Sequence, residues 1–73
     1  MAIYVDRLVD YHRAGKMAGF WCHMTADSLP ELHKMADKID LKREWFQNHP
    51  IHPHYDIRPS KRRLAIANGA LEK

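Results

Sequence analysis

Two short runs of β-branched and aromatic residues predict the first strands of a sheet. Residues 3–5, Ile-Tyr-Val, form the first run, and residues 20–25 alternate along a second strand. On this alternation Trp21 and His23 share one face of the sheet. The polar segment between the runs, residues 6–16, receives no assignment because its hydrophobic residues follow neither the helical nor the strand period.

A capping pattern predicts where the first helix begins. Ser28 stands three residues before Glu31, and Pro30 between them is tolerated in a first turn. The apolar residues that follow recur at the helical spacing and predict a buried stripe, namely Leu29, Leu32, Met35, Ala36 and Ile39.

Asp40 is a suitable N-cap for a second, short helix over residues 41–47. Such a helix would pack Leu41, Trp45 and Phe46 inward. A segment with two prolines and two histidines follows, and it predicts a loop because proline drives the residue before it toward extended geometry.

The last third of the chain predicts a strand over residues 55–57 and a helix over residues 61–68. Ser60 is a suitable N-cap for that helix, and Gly69 follows at the position that favours left-handed backbone. Together these elements predict an α+β fold with a small three-stranded sheet packed against two or three helices, as a single pair of layers. We expect one domain over residues 1–73.

The length and the cysteine count limit how this domain is stabilised. A chain of 73 residues buries only about 60% of its unfolded surface, and Cys22 has no partner for a disulfide. We therefore expect a ligand or a homodimer partner to contribute to stability. The unpaired cysteine, the lack of an apolar run of about 18 residues and the lack of a signal-peptide pattern predict a cytoplasmic protein that does not enter membranes.

Charge and histidine content point to the kind of partner. Twelve Lys and Arg against nine Asp and Glu give a net charge of +3, which favours anionic partners. Six histidines are the larger anomaly, because histidine is both the commonest metal ligand and the side chain that titrates near neutral pH.

A basic cluster straddles the start of the last predicted helix and comprises Arg58, Lys61, Arg62 and Arg63. A helix N-terminus carries about half a positive charge, so cations in the first turn are unfavourable unless an anion binds there. The cluster therefore predicts a phosphate site at the Ser60 end of the helix. The alternative is a solubilising, solvated face.

His54 and Asp56 lie two apart on a predicted strand, so their side chains project from the same face. This spacing suits a carboxylate that orients an imidazole, or two ligands of one metal. The alternative is that Asp56 forms an ion pair with an arginine and that His54 hydrogen-bonds the backbone of a loop. His33 belongs either to the same site or to a solvated helix flank with Asp37, and His23 either joins them or is a satisfied histidine beneath the helix.

The cofactor is left open. The three histidines His23, His33 and His54 with Asp56 would suffice for a divalent metal such as zinc. Their spacings match no compact metal motif, so we assign no metal ligands from the sequence. Cys22 is expected to be a small buried residue, because the adjacent His23 points to the opposite face of the strand.

Several short motifs occur together in a familiar order: residues 22–24 (Cys-His-Met), 31–33 (Glu-Leu-His), 45–46 (Trp-Phe), 54–57 (His-Tyr-Asp-Ile), an arginine-rich turn and 67–70 (Ala-Asn-Gly-Ala). With them, the chain resembles domain of unknown function 4031, a family of small bacterial and phage proteins, from residue 3 to about residue 70. Asp40 departs from the glycine that members usually have there.

The family has no settled activity, so the resemblance selects positions and implies no roles. The polar positions that match are His23, Asp27, Glu31, His33, His54, Tyr55, Asp56 and Arg62 or Arg63.

Our first functional hypothesis is a module that binds a nucleotide, another phosphate-bearing small molecule or nucleic acid. In that hypothesis phosphate is bound by the first turn of the last helix, through Ser60, Lys61, Arg62 and Arg63. Trp21 and Tyr55 supply stacking surface, with His23 beside them.

Two alternatives use the same or neighbouring residues. The first is a small phosphoester-processing enzyme in which His54 is the general acid or base, Asp56 orients it and Arg62 steadies charge on phosphate, with His33 completing the site. The second is a dimeric interaction domain whose contacts are Trp45, Phe46 and Met17.

Overall fold

The structure is a computed structural model that describes residues 2–11 and 19–73, without the side chain of Tyr11. Part of the unassigned segment lies outside the described residues, and so does Met17. The elements in chain order are β1 (Ile3–Val5), β2 (Val9–Tyr11), β3 (Gly19–Ala26), α1 (Leu29–Lys38), a 3-10 helix (Arg43–Trp45), β4 (Phe46–Gln47), β5 (His54–Ile57), α2 (Pro59–Ala67) and β6 (Leu71–Glu72). Neither helix in these ranges is long and apolar enough to cross a membrane.

The strands form one mixed sheet around β3. Its order is β4-β5-β3-β1-β6, and β2 also pairs with β3. All pairs are antiparallel except β1 with β6. The α+β class is therefore confirmed, but the three-stranded sheet is wrong, because the described residues form six strands. The missed strands β2, β4 and β6 have two or three residues each, too few to show an alternating pattern.

The two faces of the sheet differ in polarity. On one face the side chains of Cys22 and Met24 from β3 and Tyr55 and Ile57 from β5 are each at most 2% exposed. Helices α1 and α2 cover this face with a set of small and aliphatic residues, namely Leu32, Met35, Ala36 and Ala65. The opposite face carries the alternate residues of both strands. Burial raises the pKa of the Cys22 thiol to about 11, as expected for a buried structural cysteine.

The start of α1 follows the predicted capping pattern. The Ser28 hydroxyl accepts the Glu31 backbone N–H at 3.4 Å and donates to the Glu31 carboxylate at 2.8 Å. The predicted stripe is buried except for Leu29, which is 44% exposed because it lies at the first position of the helix, beyond the edge of the core.

The predicted helix over residues 41–47 is wrong. Only Arg43–Trp45 make a single 3-10 turn, after which the chain enters β4. The side chain of Phe46 packs against the Tyr55 ring at 5.5 Å, and the side chain of Trp45 is 45% exposed. Strand pairing overrides the helical pattern here, because Phe46 and Gln47 pair with Tyr55 and His54 of β5.

Both helices end in a Schellman motif. In α1 the Asp40 N–H bonds the Asp37 carbonyl and the next N–H bonds the Ala36 carbonyl. Asp40 thus follows α1 with φ of 64° and does not cap a second helix. In α2 the equivalent residue is Gly69, with φ of 104°, which confirms its predicted position.

Helix α2 begins at Pro59 with Arg58 as N-cap, so Ser60 lies inside the first turn and is not the cap. Proline suits the first helical position because its φ is already helical. Arg62 ties α2 to the sheet. Its Nε donates to the carbonyl of Asp6 at 2.9 Å and its Nη2 to the Glu72 carboxylate at 3.1 Å.

Replacing this arginine tests its structural role. We expect Arg62→Ala to lower the free energy of unfolding by about 1–3 kcal/mol, because a charged donor to a part-buried carbonyl is lost. The exposed pair with Glu72 adds little. Arg63→Ala, at an exposed neighbouring position, should stay within about 0.5 kcal/mol of the wild type. Urea denaturation measures both, and equal effects would contradict the assignment.

The two helix ends allow a reciprocal experiment. Asp40→Gly should raise the free energy of unfolding by about 0.5–1 kcal/mol, because glycine adopts a positive φ without strain. Gly69→Asp should lower it by a similar amount, since a Cβ there meets nothing within 4 Å and only the backbone cost applies. Thermal or urea denaturation reports both signs, and a destabilising Asp40→Gly would be inconsistent with the motif.

Candidate functional site

Three polar side chains meet on the sheet face opposite the helices. His23 and Asp56 are direct partners in the β3–β5 register, and His54 lies two residues before Asp56. The Nε2 atoms of His54 and His23 lie 3.4 and 3.6 Å from the same oxygen of Asp56, Oδ1. The predicted common face of His54 and Asp56 is therefore confirmed, and His23 joins them.

The other nitrogen of each imidazole has its own partner. His23 Nδ1 lies 2.8 Å from Asp6 Oδ2, and the His23 backbone N–H donates to the other oxygen of that carboxylate at 2.7 Å. His54 Nδ1 lies 2.6 Å from the carbonyl oxygen of His52. Both rings are thus held in orientation by groups that accept hydrogen bonds.

Sequence reasoning missed Asp6 because its place depends on the pairing of strands. From Val5 to Val9 the chain advances four residues, whereas the partner strand advances three, from Met24 to Trp21. The extra residue makes a bulge, a device that re-aims side chains. Only a known register, and no spacing in the sequence, would have identified Asp6. His52 belongs to the predicted proline-containing loop, and its carbonyl oxygen is the partner of His54 Nδ1.

The set His23, His54 and Asp56 is half-buried and rich in acceptors. The side chains are 42%, 16% and 28% exposed, respectively. Each residue has one potential metal-ligating atom that lies within 4.8 Å of those of the other two. Two imidazole nitrogens and a carboxylate oxygen are ligand types that divalent transition metals accept. The set can hold a cation, or exchange a proton between imidazole and carboxylate.

A cleft of about 480 Å³ lies beside this set, between the end of β5, the 3-10 helix and the start of α2. Its wall is apolar for the most part and includes the two tryptophans, Trp21 and Trp45. The polar residues around it are two cations, two carboxylates, an amide and a hydroxyl: Arg58, Lys61, Glu44, Asp56, Gln47 and Ser60. Asp56 therefore belongs both to the cleft and to the histidine set.

The residues of the basic cluster make different contacts. The Arg58 guanidinium lies over the Trp21 ring, 4.6 Å from its centroid. The Lys61 ammonium donates to the Ile39 carbonyl at 2.7 Å while lining the cleft. Arg62 donates to Asp6 and Glu72 and does not line the cleft, so the structure gives no support to its predicted contact with phosphate there.

Two other predicted ligand contacts also change. Tyr55 is 0% exposed, so its ring has no free face on which a base could stack. The alternation of β5 turns it into the core while His54 and Asp56 face the other way. Arg63 is exposed and does not line the cleft. Of the predicted ligand contacts, Trp21, Ser60 and Lys61 do line it.

His33 lies on the helix side of the sheet, apart from His54 and Asp56. Its Nδ1 is 2.8 Å from the Tyr55 hydroxyl, and its ring meets Phe46 edge-on at 4.7 Å. Burial, with a smaller contribution from nearby Arg43, lowers the pKa of His33. Burial also raises the pKa of Tyr55. Both shifts favour the neutral side chains, which is consistent with the Tyr55 hydroxyl donating a hydrogen bond to a neutral His33 imidazole. His33 therefore lies apart from the residues with which the sequence hypothesis grouped it, and its partners are the Tyr55 hydroxyl and the Phe46 ring.

The alternative interaction surface is only partly described. Trp45 is exposed and Phe46 is half-buried against Tyr55 and His33, so the two do not form one contact face. The third contact residue, Met17, lies outside the described residues.

The lowered pKa of His33 predicts how stability depends on pH. Because the unfolded chain takes up this proton more readily, the contribution of His33 is complete above about pH 6.5 and is lost as the pH falls toward the lowered pKa. The free energy of unfolding of His33→Gln should thus fall less than that of the wild type between pH 7.5 and 5. Identical slopes for His33→Gln and the wild type would contradict the prediction.

Comparison with known proteins places the chain in a family. No curated protein and no solved structure matches it. One family model, described as Protein of unknown function (DUF4031), matches residues 3–73. That span covers both helices, the whole described sheet and every residue of the histidine set and the cleft. The chain therefore belongs to the DUF4031 family of proteins of unknown function.

Proposed function

We propose that this protein binds a small ligand that carries both a planar ring and a phosphate group, of which a mononucleotide is the simplest example. The observation that carries the proposal is the cleft itself. An apolar recess of about 480 Å³ with a few convergent polar groups is typical of small-molecule sites. This volume favours a single nucleotide over a strand of nucleic acid.

The two tryptophans support the ring of such a ligand. Trp45 is 45% exposed at the cleft, an uncommon position for so large an apolar side chain. Trp21 already carries the Arg58 guanidinium at 4.6 Å on its ring. An indole face and a guanidinium plane both stack on nucleobases, and each stacked base contributes about 1–3 kcal/mol.

The cations at the start of α2 support the phosphate. Arg58 and Lys61 both line the cleft, next to the first turn of the helix, whose backbone N–H groups favour anions. Lys61 uses one ammonium proton on the Ile39 carbonyl, and an ammonium group has three. In this proposal Lys61 keeps its predicted contact with phosphate, and Arg58 replaces Arg62 and Arg63.

The carboxylates of Glu44 and Asp56 narrow the ligand class. Both line the same cleft as the cations, so a bare anion would be repelled by one part of the wall. A ligand with hydroxyl or amino donors would satisfy them. For that reason a nucleotide fits better than inorganic phosphate.

Phosphoester processing is the second candidate, favoured by the contact between His54 Nε2 and Asp56 Oδ1 at the cleft wall, 3.4 Å apart. His54 would transfer a proton, Asp56 would stabilise the charged imidazole, and Arg58 would steady the phosphate.

Calorimetry on the purified protein tests ligand capture. AMP should bind more tightly than adenosine or inorganic phosphate. Trp45→Ala should weaken the affinity about 10-fold through lost stacking. Arg58→Gln should weaken it about 10-fold or more through a lost charge-assisted contact.

Arg63→Gln is the matched control, since it removes the same charge from an exposed position outside the cleft. Equal weakening by Arg58→Gln and Arg63→Gln, or no nucleotide binding at millimolar concentration, would refute the proposal. Chromatography of the recovered ligand separates the two candidates. A cyclic nucleotide or dinucleotide converted by the wild type but not by His54→Ala indicates turnover, and intact ligand indicates capture.

A further inference from the structure

We propose that His23, His54 and Asp56 form a binding site for a divalent first-row transition-metal ion. The metal ligands are the Nε2 atoms of the two histidines and the carboxylate of Asp56. This inference does not rest on nucleotide binding, because it is argued from the geometry of the histidine set, which shares only Asp56 with the wall of the cleft.

The distances match those around a single ion. Zinc lies about 2.0–2.1 Å from imidazole nitrogen and carboxylate oxygen, so two ligands of a tetrahedral ion are about 3.4 Å apart. The Nε2 atoms of His54 and His23 are 3.4 and 3.6 Å from Asp56 Oδ1. One potential metal-ligating atom from each of the three residues lies within 4.8 Å of those of the other two.

The partners of the remaining nitrogens select the tautomer that a metal needs. His54 Nδ1 lies 2.6 Å from the carbonyl of His52, which can only accept, so Nδ1 carries the proton. His23 Nδ1 donates in the same way to Asp6 at 2.8 Å. In the neutral rings both Nε2 lone pairs then face Asp56. Metal-binding histidines almost always have such an outer carboxylate or carbonyl partner.

Without a cation, this arrangement brings acceptors together. Two lone pairs and a carboxylate oxygen converge at distances longer than the usual 2.7–3.2 Å of an N–H···O hydrogen bond. Positive charge between them removes the repulsion. The register between β3 and β5 holds them there, since His23 and Asp56 are cross-strand partners and alternate residues of both strands are buried.

The ligand set indicates the class of ion. Two imidazoles and one carboxylate suit Zn²⁺, Fe²⁺, Co²⁺ or Mn²⁺, whereas Mg²⁺ and Ca²⁺ prefer oxygen ligands throughout. Three protein ligands leave coordination positions for water or a further ligand, as in catalytic and not structural zinc sites. Asp56 also lines the cleft, so an ion here lies beside any molecule bound in it.

Metal titration of EDTA-treated full-length protein tests the site. Isothermal titration with Zn²⁺ should give one ion per chain, and Co²⁺ should produce visible ligand-field absorption. His54→Ala and Asp56→Asn should each weaken Zn²⁺ binding by roughly 100-fold or more, while Mg²⁺ and Ca²⁺ should not compete.

Asp6→Asn is a sharper variant because it leaves all three proposed metal ligands in place. The amide can present an N–H to His23 Nδ1, which favours the tautomer protonated at Nε2 and should weaken Zn²⁺ binding about 10-fold. His33→Gln removes an imidazole from the opposite face and should leave the affinity and the Co²⁺ spectrum unchanged.

Circular dichroism in EDTA checks whether each variant is folded. If His54→Ala does not fold, Asp6→Asn and Asp56→Asn test the proposal without it. Unchanged binding in these variants, equal loss in His33→Gln, or a Kd weaker than about 1 mM would overturn the proposal. AMP titrated into the metal-free protein separates the two proposals. If AMP binds and no Zn²⁺ site is found, only the metal proposal is refuted. If Zn²⁺ binds and AMP does not, only the nucleotide proposal is refuted.

Discussion

The register between β3 and β5 is the constraint on which the rest of this molecule depends. It sets Met24 opposite Tyr55 on the helix side and His23 opposite Asp56 on the other. A shift of one residue would expose the core side chains and bury the polar ones. The apolar residues of both strands therefore define the position of the histidine set, because burying Cys22, Met24, Tyr55 and Ile57 leaves only one face for it.

Asp6 connects this sheet to both the site and the last helix. Its carboxylate bonds the backbone N–H and the ring of His23, and its carbonyl accepts from Arg62 of α2. Arg62 also reaches Glu72 in β6. Helix α2 is thereby seated on the sheet through the residue that orients His23. The position of the cleft, which includes the first turn of α2, depends on the same contacts.

The histidines show how one residue type takes on unlike tasks in a chain of 73 residues. His33 is a packing residue whose pKa is lowered by burial beside Tyr55 and Phe46. His23 and His54 share the polar face with Asp56, and their Nδ1 atoms are held by acceptors. Asp56 belongs both to the wall of the cleft and to the proposed metal site, so the proposed ligand and the proposed ion would be neighbours.

By itself the sequence determined the elements whose signal is local. The Ser28 capping pattern, the alternation of β3, the pairing of His54 with Asp56 on one face and the left-handed Gly69 follow from neighbouring residues, and the structure confirms them. Only the tertiary structure decided the remainder. Short strands form where another strand offers an edge, a cation such as Arg62 is assigned by whichever carbonyl lies in reach, and Asp6 meets His23 across 17 residues of chain. These are long-range contacts, whose partners depend on register and packing and leave no periodic trace in the sequence.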